Sequence, residues 1–271
     1  MVRIALGIEY DGSGFAGWQS QTHGNTVQDV LEKAMAAIGG QAVRVVCAGR
    51  TDAGVHATAQ VVHFDTAAQR PASAWVRGVN AHLPPQVAVC WAREVGPEFH
   101  ARFSAVARAY RYLLLNRPVR PALLNGRVGW FHHPLDIDAM RSAAACLIGE
   151  HDFSAFRAAE CQAKSPVKHL YRADISTQND CVVFDFRANA FLHHMIRNLV
   201  GSLVYIGKGK HPPAWMGELL AGRDRTRAAP TFAAAGLYFA GVEYDPVWQL
   251  PAGSPGFGHT ILPPGTLSRA S

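Results

Sequence analysis

Hydrophobic periodicity runs through one order of elements twice, and this constrains the fold more than any single motif does. In the first half, Ile4, Leu6, Ile8 and Tyr10 alternate with Arg3, Ala5, Gly7 and Glu9, the period of a strand. Thr26 followed by Asp29 resembles a capping box at a helix start. Val27, Val30, Leu31, Ala34, Met35 and Ile38 then recur at helical spacing until Gly39-Gly40. Two β-rich runs flank a turn around Asp52, a helix over about 74–83 ends at Pro84-Pro85, and a strand runs from Val87 to Trp91.

The second half repeats the order. Tyr110–Leu115 reads as a strand, and a helix beginning near Asp136 carries Ile137, Met140, Ala144, Leu147 and Ile148 on one face. A hairpin follows, 173–176 with 182–186, joined by Gln178-Asn179-Asp180. A helix over about 192–206 buries Met195, Leu199, Leu203 and Ile206, a short extra helix lies near 214–220, and 236–242 closes the half as a strand. Each half is thus β-α-β-β-α-β, the ferredoxin-like order. The prediction is an α+β fold of two such halves, residues 1–105 and 106–245, merged into one mainly antiparallel sheet. The helices are expected on one face and the active-site cleft on the other. The Pro- and Gly-rich stretch 246–271 is expected to be an irregular tail.

Composition narrows the function classes. Hydrophobic residues make up 49% of 271, enough for a large core. The longest strongly apolar stretch, Ala233 to Val242, is far too short to span a bilayer. The start, Met1-Val2-Arg3-Ile4 with Glu9 and Asp11 close behind, reads as neither signal nor transit peptide. Five scattered cysteines without Cys-x-x-Cys spacing suggest neither disulfides nor zinc, and a cytoplasmic location is expected. The formal charge of +6 is concentrated. Residues 99–135 hold Arg102, Arg108, Arg111, Arg117, Arg120 and Arg127 and no acidic residue, with Phe103, Tyr110, Tyr112 and Trp130 interleaved. Such a stretch suits a polyanion that also offers bases to stack; a solvated surface is the alternative.

The segment Gly49-Arg50-Thr51-Asp52-Ala53-Gly54-Val55-His56 places a carboxylate in a tight turn between the two apolar runs. An Asp between glycines is usually a turn residue capping its own backbone. Held ionised, it can instead act as nucleophile or base. The residues alone leave both fates open.

Five blocks in register carry a resemblance to the bacterial tRNA pseudouridine synthases of the A type. They are Gly7–Gly12 running to Gly17-Trp18-Gln19, then Gly49–His56, then His100–Ala105 with Arg108–Tyr112, then Ala188–Ser202, and finally Ala235–Tyr238. The resemblance covers about residues 3–245. It implies cleavage of the C1′–N1 bond of a uridine, rotation of the base and rejoining through C5, in the anticodon arm of tRNAs. No cofactor is implied, because the product is an isomer. Homodimers and a double ferredoxin-like fold are implied as well.

By the same resemblance Asp52 is the nucleophile, Arg197 its ion partner, Tyr110 the residue against the target uracil and Leu237 its packing from the other side. Tyr110 is also a candidate for taking the C5 proton. Arg50 is read as a contact to RNA phosphate or the flipped strand, and Arg102, His194, Arg108 and Lys164 as further RNA contacts. Lys164 stands where arginine is frequent, which puts a bidentate phosphate grip in doubt. No metal is expected, because helical neighbours such as His193 and His194 diverge by about 100° and cannot readily face one ion. Two other classes compete: a non-catalytic RNA-binding module, and an N-glycosidase, which would typically need two carboxylates.

Overall fold

The structure is a computed structural model that describes residues 1–22 and 24–251. Its N-terminal half contains β1 (Val2–Tyr10), α1 (Val27–Gly39), β2 (Val46–Cys47), β3 (His56–Thr66), α2 (Val79–His82) and β4 (Val87–Val95). The C-terminal half contains β5 (Ala105–Asn116), β6 (Gly129–Phe131), α3 (Ile137–Ala145), β7 (Gly149–Asp152), β8 (Val167–Gln178), β9 (Cys181–Ala188), α4 (Met195–Gly207), α5 (Trp215–Gly222) and β10 (Leu237–Tyr244). All ten strands form one sheet in the order β4-β1-β3-β10-β5-β9-β8-β7, with β2 beside β3 and β6 beside β5. Each half has the ferredoxin-like strand order, β4-β1-β3-β2 and β10-β5-β9-β8. The seam between the halves is a parallel pairing of two positions, Tyr238 with His56 and Phe239 with Ala57.

The local signals read from sequence explain the elements. Thr26 caps α1 by accepting the Asp29 N–H at 3.2 Å, and Gly40 ends the helix at φ 71°. The second helix of the first half begins as a π-helical turn over 74–78, where Trp75 packs on Phe64 at 5.0 Å, and continues as α2. β6 and β7 carry too few residues to leave a periodic signal and were not anticipated. The helix α3 stops at Ala145, so Leu147 and Ile148 lie beyond it, one buried and one exposed. The segment 246–251 is less irregular than expected. Pro246–Trp248 forms a 3-10 turn, and Trp248 packs on Phe99 at 5.2 Å. The rest of the expected tail, 252–271, lies outside the described residues.

One expectation is corrected. In β5, Tyr112 and Leu114 face α3 and α4 in a core with Met140, Phe184, Leu199 and Leu203. Arg108 and Tyr110 share that face by alternation, as do Leu237 and Phe239 of β10. In the first half, Leu6, Ile8, Val62 and Phe64 face Leu31 and Met35 of α1 and Trp75. The cleft holding Asp52, Arg108, Tyr110 and Leu237 therefore opens on the helical face, between the helical layers of the two halves, and not on the opposite face. The physical reason is packing: each helical layer covers its own half, and the strands at the seam are left bare between them. Leu113, Leu115, Val183 and Tyr238 of the opposite face are covered by Leu124 and Val128. Among the described residues no helix is long and apolar enough to cross a membrane.

Candidate active site

The turn that carries Asp52 is fixed from every side. Tyr10 and Thr51 share a buried hydroxyl–hydroxyl bond at 2.8 Å, Trp18 N–H donates to Thr51 O at 3.0 Å, and Val55 N–H donates to Asp52 O at 3.1 Å. Gly54 has φ 76°, which favours glycine. Gly49 is needed for space rather than for its angles, because a Cβ there would meet the Phe239 ring at 3.0 Å. Gln60 bonds both the N–H and the C=O of Gly49. His56 is buried and accepts the Gly12 N–H at Nδ1, while its Nε2 lies 3.0 Å from Gly126 O and 3.1 Å from Ala235 O. Burial pushes its pKa down. The ring also stacks on Tyr238 at 4.6 Å. His56 thereby ties the turn that carries Asp52 to the strand of the other half.

The Asp52 carboxylate does not fold back on its own backbone. Oδ2 accepts from Arg197 Nη1 at 3.0 Å and lies 3.2 Å from His194 Nε2, and Oδ1 lies 3.2 Å from His193 Nε2. The Arg197 Nε donates to Phe232 O at 2.9 Å, which aims the guanidinium at the carboxylate. Arg197 is largely buried and Asp52 is a quarter exposed, so the ion pair is sheltered but open to the cleft.

Both neighbouring histidines reach the carboxylate, which the sequence argument did not allow. Divergence by about 100° applies only where residue 193 is helical. The helix starts at Met195 instead, and His194 has φ 60°, so the pair stands in a left-handed turn where helical divergence does not apply. The turn is held by Ala158 N–H to His193 O at 3.0 Å and by His193 N–H to Cys161 Sγ at 3.4 Å. Burial lowers the His194 pKa, against the pull of Asp52. The Asp52, His193 and His194 ligand atoms lie within 4.8 Å of one another, a spacing that could hold a metal ion. The Arg197 guanidinium already occupies Oδ2 and opposes a second cation there.

The cleft has a volume of about 1030 Å³. This is at or above the top of the roughly 300–1,000 Å³ range of small-molecule sites. Tyr110 stands in its wall between Phe191 and Phe239, both edge-on at 5.1 and 5.0 Å. Burial and then the nearby Tyr10 and Asp52 push the Tyr110 phenol well above its usual range, so it stays protonated. Leu237 lines the same cavity and is almost fully buried.

The arginines of 99–135 do not form one stripe. β5 alternates, so Arg111 leaves the cleft face and pairs with Asp185 at 2.8 Å. Arg127 pairs with Asp11 at 3.1 Å, and Arg117 turns to Val119 O. Arg108 does line the cleft, but its guanidinium is spent on the carbonyls of Arg102, Ala105, Asn189 and Ala48. The available charge comes instead from Arg44, Arg50 and Arg102, exposed lining residues with no ion pair among the described residues. Lys164 is exposed just beyond the lining residue Ala163. Arg44 and His193 were missed in sequence. Arg44 precedes the β2 run without any motif, and His193 was set aside with the metal argument.

A sheltered carboxylate, gripped by an arginine beneath an arginine-edged cleft, thus sits at the seam of two ferredoxin-like halves in an α+β fold. The family model described as tRNA pseudouridine synthase matches residues 7–104 and 143–245. Relatives named tRNA pseudouridine synthase A are 64% identical in Dechloromonas aromatica, over 92% of this chain and 95% of the relative, and in Aromatoleum aromaticum, over 97% and 98%. A third, from Chromobacterium violaceum, is 64% identical over 93% of this chain and 96% of the relative. The chain belongs to the tRNA pseudouridine synthase family.

Proposed function

We propose that this enzyme isomerises uridine to pseudouridine in the anticodon arm of tRNA, with Asp52 as the group that attacks or deprotonates the bound nucleotide. The observation that carries the reading is the Asp52–Arg197 pair at 3.0 Å, facing a cleft too large for a mononucleotide alone. The target base must leave its stack to reach that carboxylate, at a cost of a few kcal/mol. Arg44, Arg50 and Arg102 offset this by holding phosphates at the rim. In the cavity, Tyr110 and Leu237 supply apolar surface for the two sides of the uracil. A protonated phenol is a poor base, so Tyr110 stacks and donates rather than taking the C5 proton. The C1′–N1 bond breaks, the uracil turns within the cavity, and C1′ bonds to C5, which then gives up its hydrogen. N1 gains a proton, so atoms and electrons balance without an oxidant.

The test uses tRNA tritiated at uracil C5 and counts label released to water. Wild-type protein is expected to release it, and Asp52→Asn is expected to bind the same tRNA while releasing none. Unchanged release by Asp52→Asn would overturn the assignment. We further propose that two copies act together on one tRNA, as the resemblance implies; a monomeric mass by light scattering with full activity overturns that.

A further inference from the structure

We propose that Phe103 is an aromatic shelf at the mouth of the cleft, built to stack on a nucleobase of the RNA flanking the target nucleotide; this rests on the RNA-modifying reading above. Phe103 is 76% exposed, an unusual position for so large an apolar side chain. It lines the same cleft as Asp52, beside the exposed Arg102.

The shelf is rigid. His100 backs the Phe103 ring at 4.3 Å with the planes 30° apart. The His100 Nδ1 accepts the N–H groups of both Arg102 and Phe103, each at 3.2 Å, which fixes an unprotonated Nδ1 and closes the loop around the imidazole. Burial lowers the His100 pKa, in keeping with that state. The ends of the loop are pinned as well. His100 N–H donates to Ser104 Oγ at 2.9 Å, Ala101 N–H to His63 Nδ1 at 3.1 Å, and Tyr244 Oη to Ala101 O at 2.6 Å. The Arg108 guanidinium holds Arg102 O. An exposed aromatic on a loop braced this heavily is held out on purpose, with its ordering entropy already met by the fold. It costs solvation in the free protein and regains it when a flat partner covers it.

The partner follows from the surroundings. The cleft lining carries Arg44, Arg50, Arg102 and Arg108 against two acidic residues, Asp52 and Glu160. Arg102 lies 5.6 Å from the Phe103 ring centroid. A ring beside a free guanidinium matches one nucleotide, base on the aromatic and phosphate on the cation. Stacking of this kind tolerates any base, because every base presents a π face. His100 acts through Phe103 and is a positioning residue.

The test measures KM and single-turnover rate on an unmodified tRNA transcript with tritium-labelled uracil. Phe103→Ala and Phe103→Leu are expected to raise KM by roughly 5- to 150-fold, the range of one base–aromatic stack. The saturating single-turnover rate is expected to stay within about twofold of wild type. Phe103→Trp is expected to restore KM, with its added indole fluorescence quenched by tRNA. Because the ring is exposed, all three variants should keep the wild-type Tm. His100→Ala should raise KM only while Phe103 is present. A Leu variant with wild-type KM, or a loss confined to the saturating rate, overturns the shelf. Either result leaves the isomerase reading standing, since tritium release continues; absence of release from wild type would strike that reading instead.

Discussion

Replacing Arg197 with methionine removes one charged hydrogen bond to Asp52, 3.0 Å long, and one to Phe232 O, 2.9 Å long, while keeping most of the side-chain volume. A hydrogen bond to a charged group is worth about 1.5–3 kcal/mol. The larger penalty of about 3–5 kcal/mol for breaking a fully buried pair does not apply in full, because Asp52 is 24% exposed and water can reach it. If the pair holds the carboxylate in its reactive position, the lower range converts to a loss of roughly 10- to 150-fold in rate. The cost to folding should be of the same order, and about 2–4 °C in Tm per kcal/mol is the scale for a chain of this size. Lysine is an informative second substitution. It keeps the positive charge, but its one nitrogen cannot serve Asp52 and the Phe232 carbonyl in the arginine geometry. The expected order of single-turnover tritium release is Arg, then Lys, then Met, with tRNA affinity changed little. A methionine variant that releases label at the wild-type rate refutes the argument, and so does a loss that appears in KM alone.

Other consequences are simpler to read. A Cβ at Gly12 would lie 1.9 Å from the Val55 carbonyl oxygen, a backbone atom that cannot rotate away, so Gly12→Ala is expected to lower Tm and disturb the turn that presents Asp52. His63 is buried with its pKa pushed down to about 4, first by burial and then by Arg3 and His100. Between pH 4 and 6.5 the unfolded chain binds the extra proton, so stability rises with pH across that window and is lost as pH falls. His63→Gln should flatten that part of the curve in denaturant titrations. Removing the charges of Arg44 and Arg102 together should reduce the slope of log affinity against log salt by about 1–2 for tRNA, whereas Arg111→Gln, which breaks a pair with Asp185 away from the cleft, should not.

The order of elements was legible because it is written in periodicity, and periodicity depends on burial. The ferredoxin-like halves follow from it, and so do the Thr26 cap and the hairpin at Asn179, whose φ is 51°. The face of the cleft was not legible. Alternation says which residues of β5 share a side, but not which side the helices of the other half cover. The arginine-rich stretch misled for a related reason. Linear density of charge counts side chains irrespective of direction, and Arg108, Arg111 and Arg127 go to carbonyls, to Asp185 and to Asp11. The His193-His194 pair failed on one backbone angle, since periodicity marks where a helix runs better than where it begins.

The seam explains why the site sits where it does. β2 ends at Cys47, so the first residues of β3 have a free edge, and β10 takes it at only two positions. So short a joint cannot hold two halves in register by itself. Side chains around the Asp52 turn complete it. His56 reaches the Ala235 and Gly126 carbonyls, Arg108 reaches Ala48 O, and Arg197 reaches Asp52. The Asp52 carboxylate comes from one half, and its guanidinium and both imidazoles come from the other. The contacts that join the two halves therefore also assemble the Asp52 cluster, and neither half alone contains that cluster. This arrangement also leaves the seam uncovered by helices, since each helical layer covers its own half, and the cleft opens there.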